Sequence, residues 1–178
     1  MLNNEYLFKI SLMGNPLKQI ITIIGQLTGN TSTDWVQKVL EGSINTSGVE
    51  MLSHRLWLEP QMVKLILPLT NPGKSFTKLR TTYYQGAFAG IIFFNKADRT
   101  SFKAVNDWYT EFRSVISNPK IPMALVAFQT NIEDVTDNEA LLVSTKLGLK
   151  YFVIAPKAKE GIAHIFTELV RDFLAESL

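Results

Sequence analysis

Apolar residues along this chain alternate between two spacings. Residues 6–13 form a short, nearly continuous apolar run closed by Gly14, Asn15 and Pro16, the pattern of a buried strand and a turn. From 17 to 27 the apolar positions are 17, 20, 21, 23, 24 and 27, a helical period with little polar surface. Residues 29–33 are polar and read as a loop. Two strands are predicted at 49–58 and 62–69, joined at Glu59, Pro60 and Gln61 like a hairpin. Asn71, Pro72 and Gly73 break the chain, and 75–84 predicts an irregular helix. A buried strand follows at 87–94. Residues 101–116 carry apolar or aromatic side chains at 102, 105, 108, 109, 112, 115 and 116, which predicts one helix capped by Thr100 or Ser101. Further elements are a strand at 121–128, a helix at 137–147 capped by Asp137 and ended by Gly148, a strand at 151–155, and an amphipathic helix at 161–174. This order implies a three-layer α/β fold: a six-stranded, mainly parallel sheet with one antiparallel edge strand and helices on both faces.

Composition narrows the classes. The 178 residues suit one domain, 1–178, with a sizeable core. A net charge of +2 without a long basic run gives nucleic-acid binding no electrostatic support. The chain has no cysteine, which removes disulfides, thiol chemistry, and lipid attachment through sulfur. Leu2 stands where myristoylation would need glycine. No apolar run is long enough for a membrane span. The expectation is a cytoplasmic protein without its own lipid anchor, brought to a membrane or assembly by a partner.

The most specific stretch is 83–102, Tyr-Tyr-Gln-Gly-Ala followed by an apolar strand and Asn95-Lys96-Ala97-Asp98-Arg99-Thr100-Ser101-Phe102. It resembles the middle of Rab-type small GTPases of the Ras superfamily. Other landmarks agree in position. Thr46 to Met51 resembles the end of the first switch, and Lys64-Leu65-Ile66 resembles the strand before the second. Residues 121–126 resemble the strand before the guanine motif, and 147–152 the entry to the last strand. The resemblance implies a Ras-like G domain across nearly the whole chain.

That register also places the nucleotide positions. A phosphate loop needs Gly-x-x-x-x-Gly-Lys-Ser/Thr, so that backbone N–H groups, a lysine and a hydroxyl meet the phosphates and Mg²⁺. The matching residues here are Gly14, Asn15, Pro16, Leu17, Lys18, Gln19, Ile20 and Ile21. Ile20 replaces the lysine and Ile21 the hydroxyl. The second switch, Asp-x-x-Gly-Gln, aligns with Leu69, Thr70, Asn71, Pro72 and Gly73. The guanine motif aligns with Phe128 to Asn131, and the later Ser-Ala-Lys motif with Ala155, Pro156 and Lys157. Thr46 matches the first-switch threonine. A literal Asn-Lys-x-Asp at 95–98 falls one strand too early for guanine recognition and reads as a strand-end turn and helix cap.

These changes point to a pocket filled by its own apolar side chains, with no catalytic residue, cofactor or metal expected. Glu133, Asp134 and Asp137 read as a solvated acidic patch. His54 and His164 lie on different elements and form no catalytic arrangement. The expected role is a pseudo-GTPase scaffold binding protein partners through residues 31–57 and 71–84, with Trp35, Met51, Trp57, Phe76, Tyr83 and Tyr84 as contact candidates. One alternative is a divergent GTPase of membrane traffic or signalling, holding GTP or GDP and Mg²⁺ through Lys18 and Asn131. A third is a regulatory domain with another small molecule in the remodelled pocket.

Overall fold

The computed structural model describes residues 5–41 and 49–177. Six strands form one sheet: β1 (Tyr6–Gly14), β2 (Val49–Leu58), β3 (Gln61–Thr70), β4 (Ala89–Asn95), β5 (Met123–Phe128) and β6 (Lys150–Ile154). Their order is β2-β3-β1-β4-β5-β6. β2 pairs antiparallel with β3, and the other pairings are parallel. Helices α1 (Leu17–Thr28), α2 (Thr33–Leu40), α3 (Thr77–Tyr84), α4 (Arg99–Lys103), α5 (Val105–Val115), α6 (Asp137–Leu147) and α7 (Lys159–Glu176) surround it, with a 3-10 turn, Lys74–Phe76, before α3. This is the predicted three-layer architecture and the Ras-like G-domain fold.

Period-two alternation divides the strands between two cores. Ile91 and Phe93 of β4 face a core with Ile20, Ile21, Ile23 and Ile24 of α1 and Ile162, Phe166 and Leu169 of α7. Their neighbours Ile92 and Phe94 face the opposite core, with Val105, Trp108 and Phe112 of α5 and Ala140 of α6. β4 and β5 are therefore buried on both faces, which explains their unbroken apolar runs. The β2–β3 end differs. Leu52 and Leu56 pack inward, while Met51 and Trp57 on the other face are 51% and 63% exposed.

Some local readings are corrected, and one element is added. Residues 33–40 form a helix that the sequence pattern did not predict: Ser32 caps it by accepting from the Trp35 amide, and Asp34 sits in its first turn. The segment 101–116 is two short helices meeting at Ala104, and the first is capped by Asp98, which accepts from the Thr100 amide, not by Thr100 or Ser101. Thr136, not Asp137, caps α6 through a capping box with Glu139. Asp137 instead binds Lys96. Among the described residues no helix is long and apolar enough to cross a membrane.

Candidate functional site

The carboxyl end of a parallel sheet is where an open α/β fold places ligands. Here that end is closed. β1 runs to Gly14, and α1 begins at Leu17, so only Asn15 and Pro16 connect them. In the eight-residue motif positions 17 and 18 belong to the loop; in this chain they are already helical. Pro16 has no N–H, and its carbonyl accepts from the amides of Gln19 and Ile20. Gly14 takes φ 111, and a Cβ there would lie 2.0 Å from the Phe93 carbonyl oxygen, so the backbones of β1 and β4 meet where only glycine fits.

The side chains complete the closure. Ile20, Ile21 and Leu69 are buried, and Phe128 is buried with its ring stacked on Phe93 at 5.4 Å. Gly14, Leu17, Ile20, Leu69 and Pro72 surround a cavity of about 10 Å³, space for one water at most. Gln19, standing at the second glycine position, accepts at Oε1 from Asn95 Nδ2 at 2.9 Å and ties α1 to the end of β4. Lys18, Asn131 and Lys157 are exposed, outside the ring of residues around this cavity. Thr46 lies outside the described residues. A triphosphate with Mg²⁺ requires an N–H-lined loop, a lysine and a hydroxyl; here Pro16, Ile20 and Ile21 stand at those places, and the buried residues around the cavity are apolar apart from Arg80. They do not fit that ligand.

Beside the cavity lies a charge that the sequence reading missed. Arg80 of α3 is only 3% exposed. Its guanidinium forks onto Glu111 of α5, Nε to Oε1 at 3.0 Å and Nη2 to Oε2 at 2.8 Å. Nη1 donates to the carbonyls of Asn71 and Gly73 at 2.9 and 2.7 Å, and Nη2 to Thr77 Oγ1 at 3.0 Å. The Trp108 ring lies 4.9 Å from the guanidinium carbon. Tyr84 donates its hydroxyl to Glu111, and burial followed by this carboxylate pushes the phenol far above its usual range. The sequence carries no local sign of this pair: no acidic residue lies between Glu59 and Asp98, so Arg80 has no carboxylate within reach on its own helix.

The literal Asn-Lys-x-Asp at 95–98 is a turn and cap, as expected. Asn95 Oδ1 accepts from the Ala97 amide, and Asp98 accepts from Thr100. Lys96 is buried and pairs with Glu133 at 2.7 Å and Asp137 at 3.0 Å. Burial alone would lower this ammonium, but the two carboxylates outweigh it and hold it above its ordinary value. Asp137, which also accepts from Tyr151, is held below the usual carboxylate range, first by Lys96. Arg99 reaches Asp134 and Glu139, and with the Thr136 backbone it brings the Glu139 carboxyl down to about 2. The acidic patch is thus an anchor for the segment 129–137, the place aligned with guanine recognition.

The contact candidates separate by exposure. Met51 and Trp57 share the open face of β2. Phe76 and Tyr83 are half-buried on the second-switch segment. Trp35 packs on the core, near enough to Gly25 that a Cβ there would lie 2.8 Å from its ring. Tyr84 is buried and does not reach the surface. His54 is half-buried on β2, and burial lowers its pKa.

Known proteins agree with the fold. Residues 29–175 match the Ras family, a range that begins after β1 and α1. The chain is 30% identical to human Ras-related protein Rab-39A over 131 residues, covering 71% of this chain and 60% of that protein. It is 23% identical to human Ras-related protein Rab-3D over 179 residues, covering 99% of this chain and 78% of the relative. Rat GTP-binding protein Rab-3D is 23% identical over 171 residues, 94% of this chain and 74% of that protein. With six strands in Ras-like order and a family match over most of its length, the chain belongs to the Ras family and, within it, is Rab-like.

Proposed function

We propose that this chain is a Rab-like pseudo-GTPase: a G-domain scaffold that binds protein partners through its switch-like surface without a GTP cycle. The observation that carries the reading is the closed β1–α1 junction. Two connecting residues and a cavity of about 10 Å³ stand where a phosphate loop would wrap a triphosphate. Placing that ligand against Ile20, Ile21 and Leu69 would strand buried charge, a cost of several kcal/mol or more. The exposed face of β2 with Met51 and Trp57, and the segment bearing Phe76 and Tyr83, are the surface offered to partners. Recruitment to membranes comes through such a partner.

Thermal-shift titration with GTP, GDP and Mg²⁺ tests the reading. Nucleotide at a hundred times its Kd would stabilise by about 2.7 kcal/mol, or about 5–10 °C for a domain of this size. No shift at micromolar nucleotide is expected, and no nucleotide in the purified protein. Membership of a family that includes a GTP-binding relative favours one second reading, a divergent small GTPase of membrane traffic. A nucleotide-dependent shift of that size establishes it instead.

A further inference from the structure

We propose that Arg80 fastens the second-switch segment in one arrangement, so that its partner-facing surface is presented permanently. The inference rests on the pseudo-GTPase reading and names how that surface is regulated: from inside the fold. In a nucleotide-regulated switch, contacts to the γ-phosphate and Mg²⁺ order the segment, and hydrolysis releases it. Here the segment has a built-in tether. All five N–H groups of the Arg80 guanidinium are engaged, two by Glu111, two by the carbonyls of Asn71 and Gly73, and one by Thr77.

The tether spans three parts of the fold. It joins α3 to α5 through Glu111, and both to the turn at 71–73, the residues aligned with the second switch. The turn is also closed on itself. The Gly73 amide donates to Asn71 Oδ1 at 2.8 Å, and the Phe76 amide donates to the Gly73 carbonyl at 3.0 Å. Moving the segment away would leave a guanidinium that is 3% exposed with two donors unsatisfied. A second arrangement of comparable energy is therefore not available to it. Lysine could not hold the same pattern, because a single ammonium has three donors and no planar fork. Arg80 is a positioning residue: it touches no ligand and acts through the carbonyls it holds.

Hydrogen exchange read by mass spectrometry on the full chain tests this, with Arg80→Gln, Arg80→Lys, and wild type with and without GTP and Mg²⁺. In wild type, peptides spanning 70–78 are expected to be protected, with or without nucleotide. Arg80→Gln is expected to raise exchange in 70–78 by about tenfold or more while β4 and β5 peptides stay unchanged. Arg80→Lys is expected to restore protection only in part. Should Arg80→Gln fail to fold, Arg80→Lys decides: faster exchange confined to 70–78 supports the tether, and unchanged exchange overturns it. Exchange rising equally in β5 also overturns it, because Arg80 would then serve global stability only. If nucleotide slows exchange of wild type while Arg80→Gln still loosens 70–78, the tether stands and the pseudo-GTPase reading falls.

Discussion

At the β1–α1 junction, Ile20, Ile21, Leu69 and Phe128 leave almost no space. At the second-switch segment and at residues 129–137, chain position is held by Arg80, Lys96 and Arg99 and their carboxylates. The two solutions suit their surroundings. The junction lies between strands buried on both faces, where an unpaired polar group costs about 1–3 kcal/mol, so carbon fills it. The two segments run along the surface, but Arg80 and Lys96, which hold them, are only 3% and 2% exposed, so each is tolerated because its donors are paired. One place is packed with carbon, and the other two are held in part by buried cations whose donors are paired.

Four substitutions or titrations would break or sharpen that contrast. The largest effect is expected at the junction. Gly14→Ala would drive a Cβ to 2.0 Å from the Phe93 carbonyl at φ 111, costing about 3–5 kcal/mol or preventing folding. Urea denaturation measures it, and a near-neutral result would mean that the strands are not so close. Ile21→Ser restores the hydroxyl type of the phosphate motif but empties a fully buried position. A loss of about 2–5 kcal/mol with no gain in nucleotide binding is expected, read by denaturation and by nucleotide-dependent melting. A stable, nucleotide-responsive variant would show that the apolar filling is dispensable.

The ionic side should respond less. Lys96→Met leaves Glu133 and Asp137 unpaired but still partly in water, their side chains 40% and 56% exposed. The cost is expected to be about 1–3 kcal/mol, below the figure for a fully buried pair. The smallest effect is a titration. Glu139 has its carboxyl lowered from 4.5 to about 2 by Arg99 and Thr136. The unfolded chain binds that proton more readily, so the contribution is full above pH 4.5 and is lost as pH falls towards 2. Melting temperature followed over that window should fall less steeply in Glu139→Gln than in wild type.

Legibility followed the range of each interaction. The six strands were readable because β4 and β5 are apolar along both faces and because the 83–102 stretch fixes the family register. Helix α2 was lost inside a stretch read as switch, although Ser32, Asp34 and the apolar pair Val36 and Val39 carried its cap and period. The capping box was also local and readable as Thr136 with Glu139, yet the acidic Asp137 drew the assignment. Burial of Ile20, Ile21 and Leu69 was legible from their apolar character within buried elements. Arg80 with Glu111 and Lys96 with Glu133 join elements far apart in sequence, and no local period encodes such pairs. Their buried charges show only when the sheet brings α3 to α5 and β4 to the segment before α6.

The place of β1 has a consequence for how the chain is made. It comes first in sequence yet sits inside the sheet, pairing with Val63 of β3 on one side and Ala89 of β4 on the other. Emerging from the ribosome, this apolar strand and α1 wait on the order of seconds for either neighbour. The residues around the junction come from β1 and α1 but also from β3 (Leu69), α3 (Arg80) and α5 (Trp108), so its packing is completed only after those elements have arrived. Of the six strands, the first one made thus has packing that only later elements complete.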